Sequence, residues 1–295
     1  MVPASTPLPA GFGILFSSNP KRVGRDGFLN LRFERRAGKT ALTQCRFRLP
    51  LQALSPSELS DGTAYLMLLN PTGGIVGGDS LFTQIALGEN TRACLTTPSA
   101  TRVYRTLDQP ALQQTIITVG EEASIEYLPD HVIPHSGSIF HQSLRVELGR
   151  GSCGIFWDAL AAGRVARGEQ WEFREIDSRF EIYVRDRPVF LNRTRIRPAE
   201  VDPVRLGITD GFNYLGTLAI VANQLNDWDK VVAAMNAELA AMPEIRAGVS
   251  ALTSDGCVLK LLARTASDMS RAQMMLWSRA RHEILGAGAV DLRKY

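Results

Sequence analysis

Lysine is scarce in this chain of 295 residues: Lys21, Lys39, Lys230, Lys260 and Lys294 are far outnumbered by arginine among 33 basic residues, and no basic run stands out. Against 30 acidic residues the net charge is +3, too balanced for a surface that holds nucleic acid or membrane by charge alone. The arginine excess reads either as genome composition or as a surface suited to bidentate pairing with carboxylates on other proteins. Cysteine is also sparse. Cys45, Cys94, Cys153 and Cys257 form neither a CxxC pair nor a dense disulfide framework, which points to a reducing cytoplasm. No run of about eighteen apolar residues occurs, and the short apolar piece Phe12 to Phe16 lacks the cationic start of a secretion signal. A cytoplasmic protein, neither secreted nor spanning, is therefore expected. A GxSxG elbow, an HExxH helix and a recognisable Cys-His frame are missing, so hydrolysis has no evident nucleophile; sequence proximity around Ser99 or Ser136 makes no triad.

What is present is a glycine-rich stretch around a carboxylate, Asn70-Pro71-Thr72-Gly73-Gly74-Ile75-Val76-Gly77-Gly78-Asp79. From Gly73 to Ser80 its spacing is that of a phosphate-binding loop, but Asp79 stands where such a loop needs lysine, and a negative charge would face the phosphates. The stretch instead reads as a tight turn carrying an acid at a strand edge, fit for a structural corner, a metal or a basic partner.

Length alone allows one large core or two small ones. Residues 1 to 10, with Pro3, Pro7 and Pro9, read as a disordered arm, with structure starting near Gly11. Residues 11 to 203 show short apolar or alternating runs punctuated by turn residues, the mark of a mainly β core. Strands are expected at Ala64 to Leu69, around Leu81 to Leu87, and at Arg92 to Thr97, Gln113 to Val119, Ser124 to Leu128, Ser143 to Leu148 and Trp171 to Ile176. Arg179 to Val184 and Val189 to Leu191 flank Arg185-Asp186-Arg187-Pro188 as a hairpin. So many strands imply a sandwich or a layered, coiled sheet. Residues 204 to 295 are expected to form an α/β region packed on that core, within one continuous domain. There Gly216 to Asn223 reads as a strand, and Leu225 to Met242 as a helix with the stripe Leu225, Trp228, Val231, Val232, Met235 and Leu239. Ser254-Asp255-Gly256 marks a hairpin between Gly248 to Leu252 and Val258 to Ala263. Ser267 to Leu285 is a second helix, with Met274, Met275, Leu276, Ile284 and Leu285 on its buried side and Gly286 as its stop. No internal repeat is evident.

Three polar constellations carry candidate chemistry. His131, His135 and His141 lie close to Asp130 and read either as ligands of a borderline metal such as nickel or zinc, or as ordinary loop histidines; Pro129 and Pro134 forbid a regular helix there. Along residues 158 to 171, Asp158 ends an apolar strand, and turns at Gly163 and Gly168 bring Arg164 near Asp158 or Glu169. This is either a loop-holding ion pair or part of a row of acids, Asp79, Asp158 and Glu169, lining an internal passage for a divalent cation. In Thr96 to Arg105, Arg102, Tyr104 and Arg105 suit interface anchors, or a packed tyrosine beside solvated arginines.

Taken in order, NPTGGIVGGD at 70 to 79, LTTPSATRVYR at 95 to 105, EYLPDHVIP at 126 to 134 and DALAAGRVARGEQW at 158 to 171 closely resemble the UreD family of urease accessory proteins, called UreH in some organisms. Leu276-Trp277, Arg279, Arg281 and Leu285-Gly286 resemble the family's closing helix, so the likeness covers essentially everything after residue 10. The resemblance implies a mainly β, layered and helically wound sheet structure of many short strands, with two α-helices in its C-terminal part. It implies a cytoplasmic factor without catalysis of its own, acting in assembly of the nickel centre of urease. The partners implied are UreF, the GTPase UreG through UreF, and apo-urease. No tightly bound cofactor is implied, only nickel(II) in transit, with Asp79, preceded by Gly78, and Asp158 and Glu169 along its route. Arg102, Tyr104, Asp130 and Arg164 are expected in structural or partner contacts. The three histidines are outside the family pattern, and a hydrophobic residue or phenylalanine is more usual near His135. The rival readings are a passive docking scaffold that never carries nickel, and a hydrolase or nucleotide-binding protein using the glycine loop.

Overall fold

The computed structural model describes residues 25–225, 227–288 and 290–292, so the expected arm over 1–10 and the start near Gly11 lie outside the described residues. Two β-sheets face each other. The first contains β1 (Asp26–Arg36), β2 (Lys39–Arg48), β6 (Ser80–Leu87), β9 (Ala111–Val119), β12 (Ile139–Leu148), β14 (Glu175–Val184) and β15 (Arg187–Ile196), in the order β15-β14-β12-β9-β6-β1-β2. The second contains β3 (Gln52–Ala53), β5 (Ala64–Leu69), β7 (Arg92–Thr96), β10 (Ser124–Leu128), β13 (Cys153–Ala161), β16 (Tyr214–Ala222), β17 (Arg246–Ala251) and β18 (Gly256–Ala263), in the order β17-β18-β16-β13-β10-β7-β5-β3. Three short strands, β4 (Ser57–Glu58), β8 (Thr101–Val103) and β11 (Val132–Pro134), attach beside this path.

From β5 to β14 the chain alternates between the sheets, and neighbouring strands within each sheet run parallel. Parallel neighbours need a crossover, and here the crossover is a strand of the opposite sheet, so each turn of the winding adds one strand to both layers. This is the layered, wound architecture expected. Antiparallel hairpins complete it, β14 with β15 in one sheet and β16, β18 and β17 in the other.

The corners of the winding are built from glycine. Gly88, Gly120 and Gly149 occupy one corner of three successive turns, and their amides donate at 2.8 Å to the carbonyls of Phe33, Leu87 and Val119. A Cβ on Gly120 would lie 2.9 Å from the carbonyl carbon of Gly88, and one on Gly149 would lie 3.0 Å from that of Gly120. Backbone therefore stacks on backbone where a side chain has no room. Segments 87–95, 119–127 and 148–156, reading LGENTRACL, VGEEASIEY and LGRGSCGIF, are copies of one corner-and-strand unit. The repetition is one of structure: the copies share a corner glycine and apolar spacing but few identical residues.

Between the sheets lies an apolar block that includes Leu31, Phe33, Ile85, Leu95, Ile117, Ile125, Phe156, Phe180 and Ile182. A second inter-sheet cluster gathers Ile75, Leu81, Val103, Val132, Phe140 and Trp171. The outer face of the second sheet is covered by α1 (Trp228–Ala240) and α2 (Ala266–Leu285), so central strands are buried on both faces: all five residues of β10 are buried. Asp227 caps α1 by accepting from the Lys230 amide, Thr265 caps α2 by accepting from Asp268, and Gly286 ends α2 in the left-handed conformation at φ 61°. Among the described residues no helix is long and apolar enough to cross a membrane.

Three local expectations are corrected. The strand expected at Trp171 to Ile176 begins only at Glu175, because Trp171 is left-handed at φ 59° and turns the chain while burying its ring. Helix α2 buries Met269, Ala272, Gln273, Leu276, Trp277, Ala280 and Arg281, so of the five residues expected on that side only Leu276 is fully covered. The reason is polar. Glu126 on β10 accepts from Trp277 Nε1 and from Arg281 Nε at 2.7 Å, and Arg281 also reaches Asp61 at 2.6 Å, which sets the rotation of the helix. Asp158 is the third: it lies inside β13, not at its end.

Candidate functional site

Side chains two apart on a strand share a face, so the inward positions of Leu95, Tyr127 and Phe156 in the apolar block are followed inward by Thr97, Pro129 and Asp158. A carboxylate thus takes a place that the winding makes interior. Across the second sheet the register aligns Asp158 with Thr217 on β16 and Thr217 with Lys260 on β18. Across the first it aligns Gln113, Gln142, Ser178 and Thr194 on β9, β12, β14 and β15. These two polar rows face each other. Gln142 Nε2 donates to Asp158 Oδ1 at 3.1 Å and to Ser178 Oγ at 2.8 Å, and the Ser178 hydroxyl points to Asp158 Oδ2 at 3.5 Å.

Two cavities lie between the sheets along these rows. One, of about 180 Å³, runs from Gly73, Gly74, Ser99 and Arg102 past Asp130 to Asp158. The other, of about 400 Å³, runs from Asp158 past Thr217 and Lys260 to Ile208, Arg246 and Gly248 at the far edge of the molecule. Val132, Gln142, Asp158 and Ser178 line both, so they form the partition between them. Asp158 lies deep within the protein, and the surface it retains faces this space. Burial pushes its carboxyl above the usual carboxylate range, against the opposing pull of the Lys260 charge and the hydrogen bonds from Gln142 and Ser178. Burial pulls the Lys260 ammonium below its ordinary value, and Asp158 draws it back up.

The three acids singled out in the sequence are not brought together. Asp79 is buried, and its Oδ2 accepts from the Val76 amide at 2.9 Å within its own turn. Glu169 accepts from the Ser136 amide at 2.9 Å and from Arg164 through two donors, which holds its carboxyl below the usual range. Neither is among the residues that line the two cavities. Arg164 therefore meets Glu169, the second of the two acids within its expected reach.

Asp130 lines the first cavity, and its amide donates to Thr97 Oγ1 at 2.8 Å. Arg102 lines the same cavity near its entrance. Tyr104 donates to the Gly73 carbonyl at 3.3 Å, and its ring meets His135 edge-on at 4.8 Å. Gly74 is obligatory beneath that ring, since a Cβ there would come within 2.5 Å of Tyr104 and 2.7 Å of the Arg102 carbonyl.

The glycine stretch uses its amides internally: Ile75 donates to Arg102, Gly78 to Pro110, and Asp79 to Val76. Such amides are not presented to a phosphate, and a strand follows the loop where a phosphate site needs a helix start. The histidines separate. His135 packs on Tyr104, His131 meets Tyr214 edge-on at 5.4 Å, and His141 lies 3.5 Å from Glu175. Among the described residues no group of three His, Cys, Asp or Glu side chains is placed to cage a metal. Gln142, Ser178, Thr217 and Lys260 escaped sequence reasoning, because their only signal is register between strands far apart in the chain.

The profile of the family described as UreD urease accessory protein matches residues 25–294. A urease accessory protein UreD from Herpetosiphon aurantiacus is 34% identical over 272 residues, covering 88% of this chain and 93% of its own length. One from Deinococcus radiodurans is 32% identical over 276 residues, covering 92% and 96%, and one from Cupriavidus necator is 31% identical over 270 residues, covering 90% and 92%. With wound sheets, closing helices and motif order all in place, the chain belongs to the UreD family of urease accessory proteins.

Proposed function

We propose that this protein serves urease maturation as a nickel-conducting scaffold, bridging UreF, and the GTPase UreG through it, to apo-urease, with nickel(II) passing between its two sheets. The observation that carries this reading is the position of Asp158 at the partition where two cavities from different edges of the molecule meet. A hydrated divalent cation needs oxygen donors and negative charge, and the facing rows offer the Asp158 carboxylate, the Gln142 carbonyl and the hydroxyls of Ser178 and Thr217. One carboxylate among neutral oxygens holds a cation weakly, which suits transfer, whereas imidazole or thiolate ligands would retain it.

In this reading the remaining candidates frame one entrance. Asp130 adds a second acid to the first cavity, Arg102 and Tyr104 shape its opening against Gly73 and Gly74, and Glu169 with Arg164 fastens the loop at Ser136. Asp79 closes the glycine turn. The protein performs no catalysis in this role.

The test is co-purification with UreF, UreG and apo-urease followed by metal analysis of the urease. Asp158→Asn preserves shape and keeps one acceptor oxygen for Gln142, so the complex forms as before while nickel per active site falls on the order of tenfold, the effect of losing about 1.4 kcal/mol of cation stabilisation. Normal loading by the variant would leave a passive scaffold as the better description.

A further inference from the structure

The far opening of the second cavity is crossed by a cation. Lys260 leans from β18 so that its Nζ donates to Thr217 Oγ1 at 2.9 Å in its own sheet and to Asn192 Oδ1 at 3.0 Å on β15 of the opposite sheet. The ammonium thus spans both layers, 6.0 Å from the Phe190 ring centroid. Its row neighbour Thr217 separates it from Asp158, the only acid among the described residues lining that cavity. Opposite Lys260 on β17 is Gly248, where nothing stands within 4 Å of a Cβ position, so the opening is bounded by backbone on that side. Arg246 adds a second positive charge at the same rim, paired with Asp210.

We propose that Lys260 is an electrostatic gate on the cation passage: its fixed positive charge weakens the hold of Asp158 on a divalent cation and bars the far opening until the side chain swings aside. This inference rests on the reading of Asp158 as a cation station. A monovalent cation near a single carboxylate competes directly with a divalent one, and it does so through charge, not through a ligand bond. The Lys260 side chain keeps part of its surface in solvent, so the effect is partly screened by salt. Lysine suits the task better than arginine would in one respect: its flexible stem lets a compact charge move out of the opening without breaking a bidentate pair.

The test is calorimetric titration of the purified full-length protein with nickel chloride at low and high ionic strength, for wild type, Lys260→Gln, Lys260→Arg and Asp158→Asn. Lys260→Gln is expected to bind nickel about three- to tenfold more tightly at low salt, with the gain shrinking as salt rises. Lys260→Arg keeps the charge and stays within about twofold of wild type. Equal affinity for Lys260→Gln and wild type, or an equal gain for Lys260→Arg, would overturn the gate while leaving Asp158 as a station. If Asp158→Asn binds as wild type does, or no variant binds, the station itself fails and the gate with it.

Discussion

At the scale of single residues, Asp158 is a carboxylate kept where ionisation is disfavoured. Its folded pKa is raised above the unfolded value, chiefly by burial. Such a group adds stability below the unfolded pKa and loses it as pH rises through the folded pKa, so at neutral pH its charge is a net cost to folding. Asp158→Asn is therefore expected to raise the thermal midpoint at pH 7, because the neutral amide carries no charge to desolvate. The gap should close as pH falls toward the ordinary carboxylate range; a lower midpoint for the variant at pH 7 would contradict this account. Asp61, Glu175 and Asp177 behave oppositely. Hydrogen bonds from Thr63, with Arg281 behind them, hold Asp61 down against burial, and arginine partners hold Glu175 and Asp177 down, so their contribution is present above the unfolded pKa and lost as pH falls through the folded one. A side chain that weakens the fold yet sits at the meeting of two cavities is the pattern expected of a functional group. The residue types were legible in the sequence, but their placement was not: Asp79, Asp158 and Glu169 looked alike there, and only long-range register separates the one facing the cavities from the two bound into loops.

The recurring element is the glycine corner followed by a strand. Gly120 has no left-handed backbone to protect, so the case for it is purely steric: its missing Cβ is what lets the corner beneath approach. Gly120→Ala should force two corners apart and cost about 1–3 kcal/mol, read as a lower denaturant midpoint with an unchanged slope. A midpoint within error of wild type would show that the corners have slack. The strands were legible because alternation and turn residues mark them locally, as at Ala64–Leu69 and Ser124–Leu128, where expected and observed limits coincide. The rotation of α2 was not, because Gln273 and Arg281 look like surface residues on a helical wheel. Arg281 is buried against Glu126, 155 positions away, and Gln273 donates to the Pro129 carbonyl, 144 positions away, partners that a local window cannot contain.

At the scale of the whole molecule, winding two sheets in step yields an interior that is apolar at one level and polar at another. Parallel stacking brings the same register position to the same depth on every turn, so a change of residue type from Leu95, Tyr127 and Phe156 to Thr97, Pro129 and Asp158 converts a packed layer into a hollow one. In the proposed role nickel travels through this hollow. Ser178→Leu obstructs the partition while leaving the acid intact, its added bulk sitting between the two cavities. The variant is expected still to assemble with its partners while nickel delivered to urease falls at least about tenfold, at a stability cost of about 1–3 kcal/mol. Wild-type nickel delivery through an assembled Ser178→Leu complex would contradict that role.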